Sequence, residues 1–168
     1  HTRPLKDLTK ESIFNIITHS NKFKVRLKDS NILDLFAGVG SFGLECLSRG
    51  SSSLTFVENY NNVLPILKKN ISKLGFQDNS IIIESNIIDG LNFKNIDKKF
   101  DIIFMDPPYK EKEIPSILNK IVESSVLAKH GIIVIHRHKK EKDEFPHNFK
   151  VIEEKVYGIS RVIFGNCF

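Results

Sequence analysis

The stretch that decides the fold is NILDLFAGVGSFG, residues 31–43. Its first six residues form a short apolar run that is typical of a buried strand, and the next four, AGVG, predict a glycine turn. Residues 41–49 are predicted to form a helix that ends at Gly50. A strand, a glycine turn and a helix in this order are typical of a ligand site in an α/β protein.

The alternation of strands and helices continues on both sides of this stretch. Short apolar runs predict strands, and apolar residues at intervals of three and four predict amphipathic helices. We expect strands over 54–57, 81–83, 101–105 and 131–135, helices over 9–19, 61–74 and 114–126, and an antiparallel hairpin over 149–156 and 160–164. The predicted fold class is therefore α/β, a mostly parallel sheet with helices on both faces and a C-terminal hairpin at its edge.

Length and composition are those of a globular protein. The chain has 168 residues, of which 40% are hydrophobic and 27% are charged, and it has no internal repeat, so we expect one domain over residues 1–168. No apolar run approaches the roughly 18 residues of a membrane span, and the N-terminus lacks the apolar stretch of a signal peptide. Because the chain begins with His1 and not with Met, we expect its helical lead-in, residues 1–20, to continue upstream.

The cysteines and the net charge bear on location and partners. Cys46 and Cys167 follow no metal or redox spacing, so we expect free thiols, no metal site and a cytoplasmic protein. The net charge of +5 is compatible with a polyanionic partner. The codon bias of an AT-rich genome would also raise the lysine content, so the charge leaves both interpretations open.

Three glycines and one acidic residue predict a nucleotide-like cofactor. Gly38, Gly40 and Gly43 spell G-x-G-x-x-G, and Glu58 stands twenty residues beyond Gly38. Glycine lets a ligand lie against the backbone, and an acidic residue after the second strand accepts the hydroxyls of a ribose. Both a dinucleotide and S-adenosylmethionine fit this pattern.

Asp34 favours S-adenosylmethionine over a dinucleotide. A dinucleotide brings a pyrophosphate to the helix N-terminus, where a neighbouring carboxylate is unfavourable, whereas S-adenosylmethionine carries an ammonium, a sulfonium and no phosphate. Asn86 follows the third predicted strand. It either contacts the adenine of the cofactor or is an ordinary turn asparagine. The predicted cofactor-binding residues are Asp34, Phe36, Ala37, Gly38, Gly40, Glu58, Asn59, Asn86 and Ile87.

The motif Asp106-Pro107-Pro108-Tyr109 follows a predicted strand and indicates the chemistry. The exocyclic amine of guanine or adenine is a poor nucleophile because its lone pair is delocalised into the ring. The Asp106 carboxylate and the Pro107 carbonyl can accept hydrogen bonds from both of its N–H groups, and the two prolines fix the direction of that carbonyl. Tyr109 can stack on the base, which stabilises it by about 1–3 kcal/mol. We therefore predict direct methyl transfer to the amine, with Asp106, Pro107, Pro108 and Tyr109 as catalytic residues.

Several longer strings are similar to one family of enzymes. They are TRP (residues 2–4), ESIFN (11–15), LDLFAG (33–38), GLECLSRG (43–50) and DPPY (106–109). Through these strings, which span nearly the whole chain, the protein resembles the RsmD family, bacterial methyltransferases that act on guanine N2 of 16S ribosomal RNA. The resemblance implies a seven-stranded class I methyltransferase fold and S-adenosylmethionine as cofactor. It also implies 16S ribosomal RNA, in the small subunit or its assembly intermediate, as partner.

Two departures from the family concern the RNA. The basic segment that usually precedes TRP is not seen, and the fifth strand ends in His136-Arg137-His138 where the family typically has an acidic residue. We interpret His136 and His138 as surface histidines, with RNA contacts as the alternative. The predicted RNA contacts are Arg3, Lys110, Lys112 and Arg137, and we expect a monomer.

The patterns together favour guanine-N2 methylation of ribosomal RNA. Alternatives with the same chemistry are an N6-adenine nucleic-acid methyltransferase and an N5-glutamine protein methyltransferase. A non-catalytic RNA-binding module on the same fold and a dehydrogenase are alternatives from other classes. The intact motif at residues 106–109 argues against both of these.

Overall fold

The computed structural model describes residues 7–108 and 112–167, and these residues form one seven-stranded sheet with helices packed on it. Its seven strands are β1 Asn31–Leu35, β2 Ser53–Val57, β3 Ser80–Ile83, β4 Phe100–Met105, β5 Leu127–His138, β6 Phe149–Tyr157 and β7 Ser160–Cys167. They lie in the order β3-β2-β1-β4-β5-β7-β6, and β7 runs antiparallel to both of its neighbours. The predicted mostly parallel sheet with a C-terminal hairpin is therefore confirmed.

Helices cover both faces of the sheet, as predicted. They are α1 Asp7–His19, α2 Ser41–Ser48, α3 Leu64–Lys73 and α4 Ile114–Ser124. Successive residues of a strand point to opposite faces, so Ile32 packs with α1, α2 and α3 while Leu33 packs with α4. The central strands β1, β2 and β4 are thus buried on both sides, which is why their sequences are largely apolar. No helix in residues 7–108 and 112–167 combines the length and apolar character needed to cross a bilayer.

A stack of three aromatic rings fixes the first two helices on the sheet. Phe42 of α2 stacks on Phe104 of β4 with ring centroids 3.9 Å apart, and on Phe14 of α1 with centroids 5.1 Å apart. Aromatic pairs at these distances stabilise by about 0.5–1.5 kcal/mol beyond their burial. Because α2 begins directly after the glycine turn, the stack also fixes where that turn lies above the sheet.

The crossover between β3 and β4 departs from strict alternation because it contains no α-helix. All of residues 84–99 are described, and the helical part is one 3-10 turn, Phe93–Asn95. The segment is rich in Asn, Asp and Gly, which favour turns over helices. Ile87, Leu91 and Phe93 are nevertheless buried against the α4 side of the sheet, so the loop covers that face in place of a helix.

Strand β5 is longer than the sequence predicted. It continues through His136, Arg137 and His138 because these residues pair with Val162, Arg161 and Ser160 of β7. The strand was predicted to end at residue 135, because the residues after it are polar. The pairing with β7 supplies the backbone partners that keep it extended.

The strand registers bring the ends of four strands to one edge of the sheet. Leu35 of β1 pairs with Val57 of β2 on one side and with Met105 of β4 on the other, and Met105 pairs with Ile135 of β5. The residues that follow these positions therefore lie side by side. The order of the strands also reverses between β1 and β4, which is where open α/β sheets bind ligands.

Candidate active site

The turn after β1 has a backbone conformation that suits a ligand-binding role. Phe36, Gly38 and Gly40 all have positive φ angles, of 59°, 58° and 88°. This region costs a residue such as Phe36 about 1–3 kcal/mol, and such strain is concentrated at functional sites. A Cβ atom at Gly38 would meet nothing within 4 Å, so the backbone there is open to a ligand.

Helix α3 holds the far side of the same turn. The Asn70 side-chain amide donates a hydrogen bond of 2.9 Å to the carbonyl of Val39. A Cβ atom at Gly40 would lie 2.6 Å from a methyl carbon of Leu67, so a larger residue there would require the Leu67 side chain to move. The second glycine of the motif therefore serves packing as well as conformation.

Glu58, at the end of β2, holds the turn through backbone N–H groups. Its Oε1 atom accepts from Gly38 N at 2.8 Å, and its Oε2 atom accepts from Asn59 N at 3.1 Å and from Tyr60 N at 3.0 Å. The residue is 8% exposed. A carboxylate offers about four acceptor positions, and three are used here, so about one is left for a ribose hydroxyl while the turn is held.

Asp34 lies beneath the turn, and its carboxyl is buried. Its Oδ2 atom accepts a hydrogen bond of 3.2 Å from Gly43 N, and a Cβ atom at Gly43 would come within 2.5 Å of the Phe56 ring. Burial raises the pKa of the Asp34 carboxyl well above its ordinary value, and the nearby charges of Asp106 and Glu58 raise this pKa further. A cationic ligand at this place would offset these unfavourable interactions.

A cleft of about 300 Å³ opens beside the turn, above the ends of β1, β2 and β3. This volume lies at the lower end of the range of small-molecule sites. Its lining joins six residues predicted from the sequence, Phe36, Glu58, Asn59, Asn86, Ile87 and Pro108, to four that were missed, Val57, Tyr60, Ser85 and Ile88. The missed residues flank predicted ones in the chain, so the positions of the strand ends were a signal for them.

The Asn86 side chain has two roles. Its Oδ1 atom accepts hydrogen bonds of 2.9 Å from both Ile88 N and Asp89 N, which is the turn asparagine of the simpler interpretation. The residue also lines the cleft. Because the oxygen is used by the turn, the side-chain N–H₂ group is what Asn86 can offer, and it suits an acceptor such as a ring nitrogen of adenine rather than its amino group.

Asp106, Pro107 and Pro108 follow the end of β4 beside this cleft. The Asp106 side chain is 21% exposed, Pro107 is buried, and Pro108 is exposed and lines the cleft. Asp106 Oδ1 lies 2.8 Å from Nδ1 of His136. The carboxylate is therefore held from one side while part of it remains accessible.

The His136 ring is engaged at both nitrogens. Besides its contact with Asp106, its Nε2 atom lies 2.8 Å from Oγ of Ser160, and its side chain is 17% exposed. The interpretation of His136 as a surface histidine is therefore wrong. The strand register explains why His136 lies at Asp106 and not at the surface. Met105 pairs with Ile135, so the residues that follow them, Asp106 and His136, lie beside each other.

Arg137 does not lie where an RNA contact was predicted. Its side chain is 1% exposed, and its Nε and Nη2 atoms donate to the two carboxylate oxygens of Asp143 at 2.8 and 3.0 Å. Its Nη1 atom donates to the carbonyl of Pro108 at 3.2 Å. This bidentate pair is buried, so the guanidinium cannot also meet a phosphate at the surface. Lys112 is exposed, whereas Arg3, Tyr109 and Lys110 lie outside the described residues.

Comparison with known proteins identifies the family. The model of the family described as Conserved hypothetical protein 95 matches residues 1–166. Ribosomal RNA small subunit methyltransferase D of Buchnera aphidicola is 32% identical over 154 residues, which cover 92% of this chain and 76% of that relative. The Haemophilus influenzae protein of the same name is 30% identical over 158 residues, with 94% and 79% covered.

A solved structure supports the fold independently of close sequence similarity. The RNA methyltransferase from Salinibacter ruber, crystallised with S-adenosyl-L-homocysteine, superposes with a TM-score of 0.70 at 10% identity, covering 96% of this chain and 92% of that one. This superposition confirms the predicted class I methyltransferase fold. The names of the curated relatives confirm the prediction of a methyltransferase. From the family model and the curated relatives together, the chain belongs to the RsmD family of methyltransferases.

Proposed function

We propose that this protein transfers a methyl group from S-adenosylmethionine to the exocyclic N2 amine of a guanine in 16S ribosomal RNA. The observation that carries the proposal is the position of Asp106 to Pro108: Pro108 lines the cleft, and the Asp106 carboxylate lies at the same strand end, partly exposed. An acceptor for an amine thus stands next to a site for the methyl donor. The names of the relatives, ribosomal RNA small subunit methyltransferase D, support this substrate.

The residues around the cleft fit a cationic nucleoside. Glu58 has acceptor capacity for a ribose, Phe36 and Ile87 offer apolar surface to an adenine, and Asn86 offers its N–H₂ group. Asp34 supplies a buried carboxyl close to the turn, and a cation beside it would favour its ionised form. These carboxylates oppose a pyrophosphate and favour an ammonium. S-adenosylmethionine, when bound, supplies an electrophilic methyl group on a sulfonium.

Asp106 activates the amine by accepting a hydrogen bond from one of its N–H groups. Its Oδ1 atom is taken by His136, and Oδ2 has no hydrogen-bond partner among residues 7–108 and 112–167. The free oxygen and the Pro107 carbonyl are therefore the two acceptors for the amine. Accepting both N–H groups turns the nitrogen lone pair away from the ring system and toward the donor, so most of the acceleration comes from positioning and electrostatics.

The proposal also covers the RNA substrate, the oligomeric state and the cellular location. Its substrate is the RNA of the small ribosomal subunit or of an assembly intermediate, and it acts as a monomer in the cytoplasm. The exposed Lys112, three residues beyond Tyr109, is suited to a phosphate of that RNA. Arg3 and Lys110 stay proposed contacts.

Methyl transfer from labelled S-adenosylmethionine tests the proposal. The acceptors are free 16S ribosomal RNA, immature small subunits, DNA and protein, each followed by hydrolysis and identification of the modified unit. We expect N2-methylguanosine from RNA or from the immature subunit. N6-methyladenosine or N5-methylglutamine as the main product would replace the proposed function with one of the related activities, and the absence of any transfer would support a non-catalytic module.

A further inference from the structure

We propose that His136 is a positioning residue that holds the Asp106 carboxylate so that Oδ2 faces the target amine. The inference rests on the proposed role of Asp106. It concerns a residue of β5 that does not itself touch the methyl donor or the amine. Three features of the structure support it: the strand register, the two contacts of the ring, and the support of the same motif by the next residue of β5.

The register makes the contact between His136 and Asp106 a property of the sheet. Residues 102–105 of β4 pair in parallel with residues 132–135 of β5. Asp106 directly follows β4 and His136 is the next residue of β5, and Nδ1 of His136 lies 2.8 Å from Oδ1 of Asp106. Strand pairing thus holds the backbone of His136 and of the residue before Asp106, so the two side chains start from neighbouring, fixed positions.

The second contact of the ring fixes its orientation. Nε2 lies 2.8 Å from Oγ of Ser160, which is 7% exposed on β7. Because a carboxylate oxygen only accepts, Nδ1 carries the hydrogen, and the Ser160 hydroxyl can donate to Nε2 or accept from it. Both hydrogen bonds of the ring, to Ser160 and to Asp106, therefore form whether or not the ring is charged. Oδ1 of Asp106 is bound to His136 in either case.

Arg137 supports the other end of the same motif. Its Nη1 atom donates to the Pro108 carbonyl, and its Nε and Nη2 atoms donate to Asp143. Consecutive residues of β5 therefore fix the motif at Asp106 and at Pro108. The Pro107 carbonyl lies between these two supports, so both proposed acceptors of the amine derive their direction from β5.

Kinetics of two His136 variants test the inference. His136→Ala removes the hydrogen-bond donor, and we expect kcat to fall on the order of 100-fold, the effect of a small misplacement of a reacting group. The KM values for RNA and cofactor should stay within a few-fold, because His136 contacts neither. His136→Asn puts an amide N–H near the position of Nδ1 and should recover most of kcat.

Controls separate this inference from a defect in folding and from the proposed function. His147→Ala changes an exposed histidine outside the site and should leave kcat unchanged. Calorimetry with S-adenosylhomocysteine and the midpoint of thermal unfolding show whether the His136 variants are folded and bind. Should His136→Ala fail to fold, His136→Asn compared with His136→Leu gives the same comparison.

The outcomes are distinct. An unchanged kcat in His136→Ala, or an equal loss in His136→Asn, overturns the positioning role, as does a loss confined to KM. If Asp106→Ala keeps its activity, or if wild-type protein forms a product other than N2-methylguanosine, it is the proposed function that fails. Loss of kcat in His136→Ala with recovery in His136→Asn, together with an inactive Asp106→Ala, supports both.

Discussion

Two halves of the sheet edge are held in different ways. In the cofactor half, at the ends of β1, β2 and β3, one carboxylate, Glu58, accepts from three backbone N–H groups. The target half lies at the ends of β4 and β5 and at the start of β7, where side chains hold one another. Asp106 contacts His136, and His136 contacts Ser160, across 30 and 24 positions of the chain. Every residue except proline has a backbone N–H group, so the cofactor half needs only one specific side chain, Glu58. The target half forms only if Asp106, His136 and Ser160 are all present.

The largest effect that separates the halves is expected for Asp106→Ala. Loss of the acceptor should lower methyl transfer at least about a thousandfold, since general-base and electrostatic contributions are of this size. The affinity for S-adenosylhomocysteine in calorimetry should stay within a few-fold, because the cofactor half is intact. Asp97→Ala, at an exposed aspartate, is the matched control. An equal loss of cofactor binding would show that the two halves are one site.

Arg137→Leu tests whether the target half depends on buried side-chain pairs. It leaves Asp143, whose side chain is 8% exposed, without its bidentate partner, and breaking such a pair costs about 3–5 kcal/mol. The free energy of unfolding in urea should fall by this amount. Combining Arg137→Leu with Asp143→Leu should restore most of it, since no unpaired charge is left buried. A loss below about 1 kcal/mol in the single variant would contradict the burial of the pair.

Glu58→Gln examines the cofactor half. It keeps one acceptor oxygen but removes the charge that the three N–H groups and the proposed ribose hydroxyl share. Hydrogen bonds to a charged group contribute about 1.5–3 kcal/mol, so affinity for the cofactor should fall by roughly ten- to a hundredfold. Turnover at saturating cofactor should change little. Glu84→Gln, an exposed glutamate after β3, is the control, and unchanged affinity in Glu58→Gln would reject the ribose role.

The smallest expected effect is a pH dependence of stability that Asp34 confers on the cofactor half. Burial raises the pKa of this carboxyl in the folded protein above its ordinary value of 3.8. Its contribution to stability is therefore fully present below the unfolded-state pKa and is lost as pH rises through the raised one, with a slope of at most about 1.4 kcal/mol per pH unit.

Asp34→Asn should remove this slope. Urea unfolding of both proteins at a series of pH values above 4 should show the wild type losing stability relative to the variant as pH rises. A saturating cationic cofactor should flatten the wild-type curve, because a nearby positive charge lowers the pKa of Asp34. Parallel curves for the two proteins would show that the carboxyl is not perturbed.

Sequence reasoning succeeded where the signal was local. The strands and helices followed from short apolar runs and helical intervals, and Glu58, Asn59, Asn86 and Ile87 were found because each follows a predicted strand. It failed at His136, which was interpreted as a surface histidine, and at Arg137, which was predicted as an RNA contact. A polar residue at the end of a strand is exposed or buried according to its neighbours in the sheet, and those neighbours are distant in sequence.

The sequence by itself determined the order of elements, the conformation of the glycine turn and the presence of an acceptor motif after β4, because each depends on residues next to one another in the chain. Only the tertiary structure decided that β4, β5 and β7 pair in the register that puts Asp106, His136 and Ser160 in contact. A register shift of one residue would turn each of these side chains to the opposite face. That choice depends on packing across the whole sheet, which no local pattern contains.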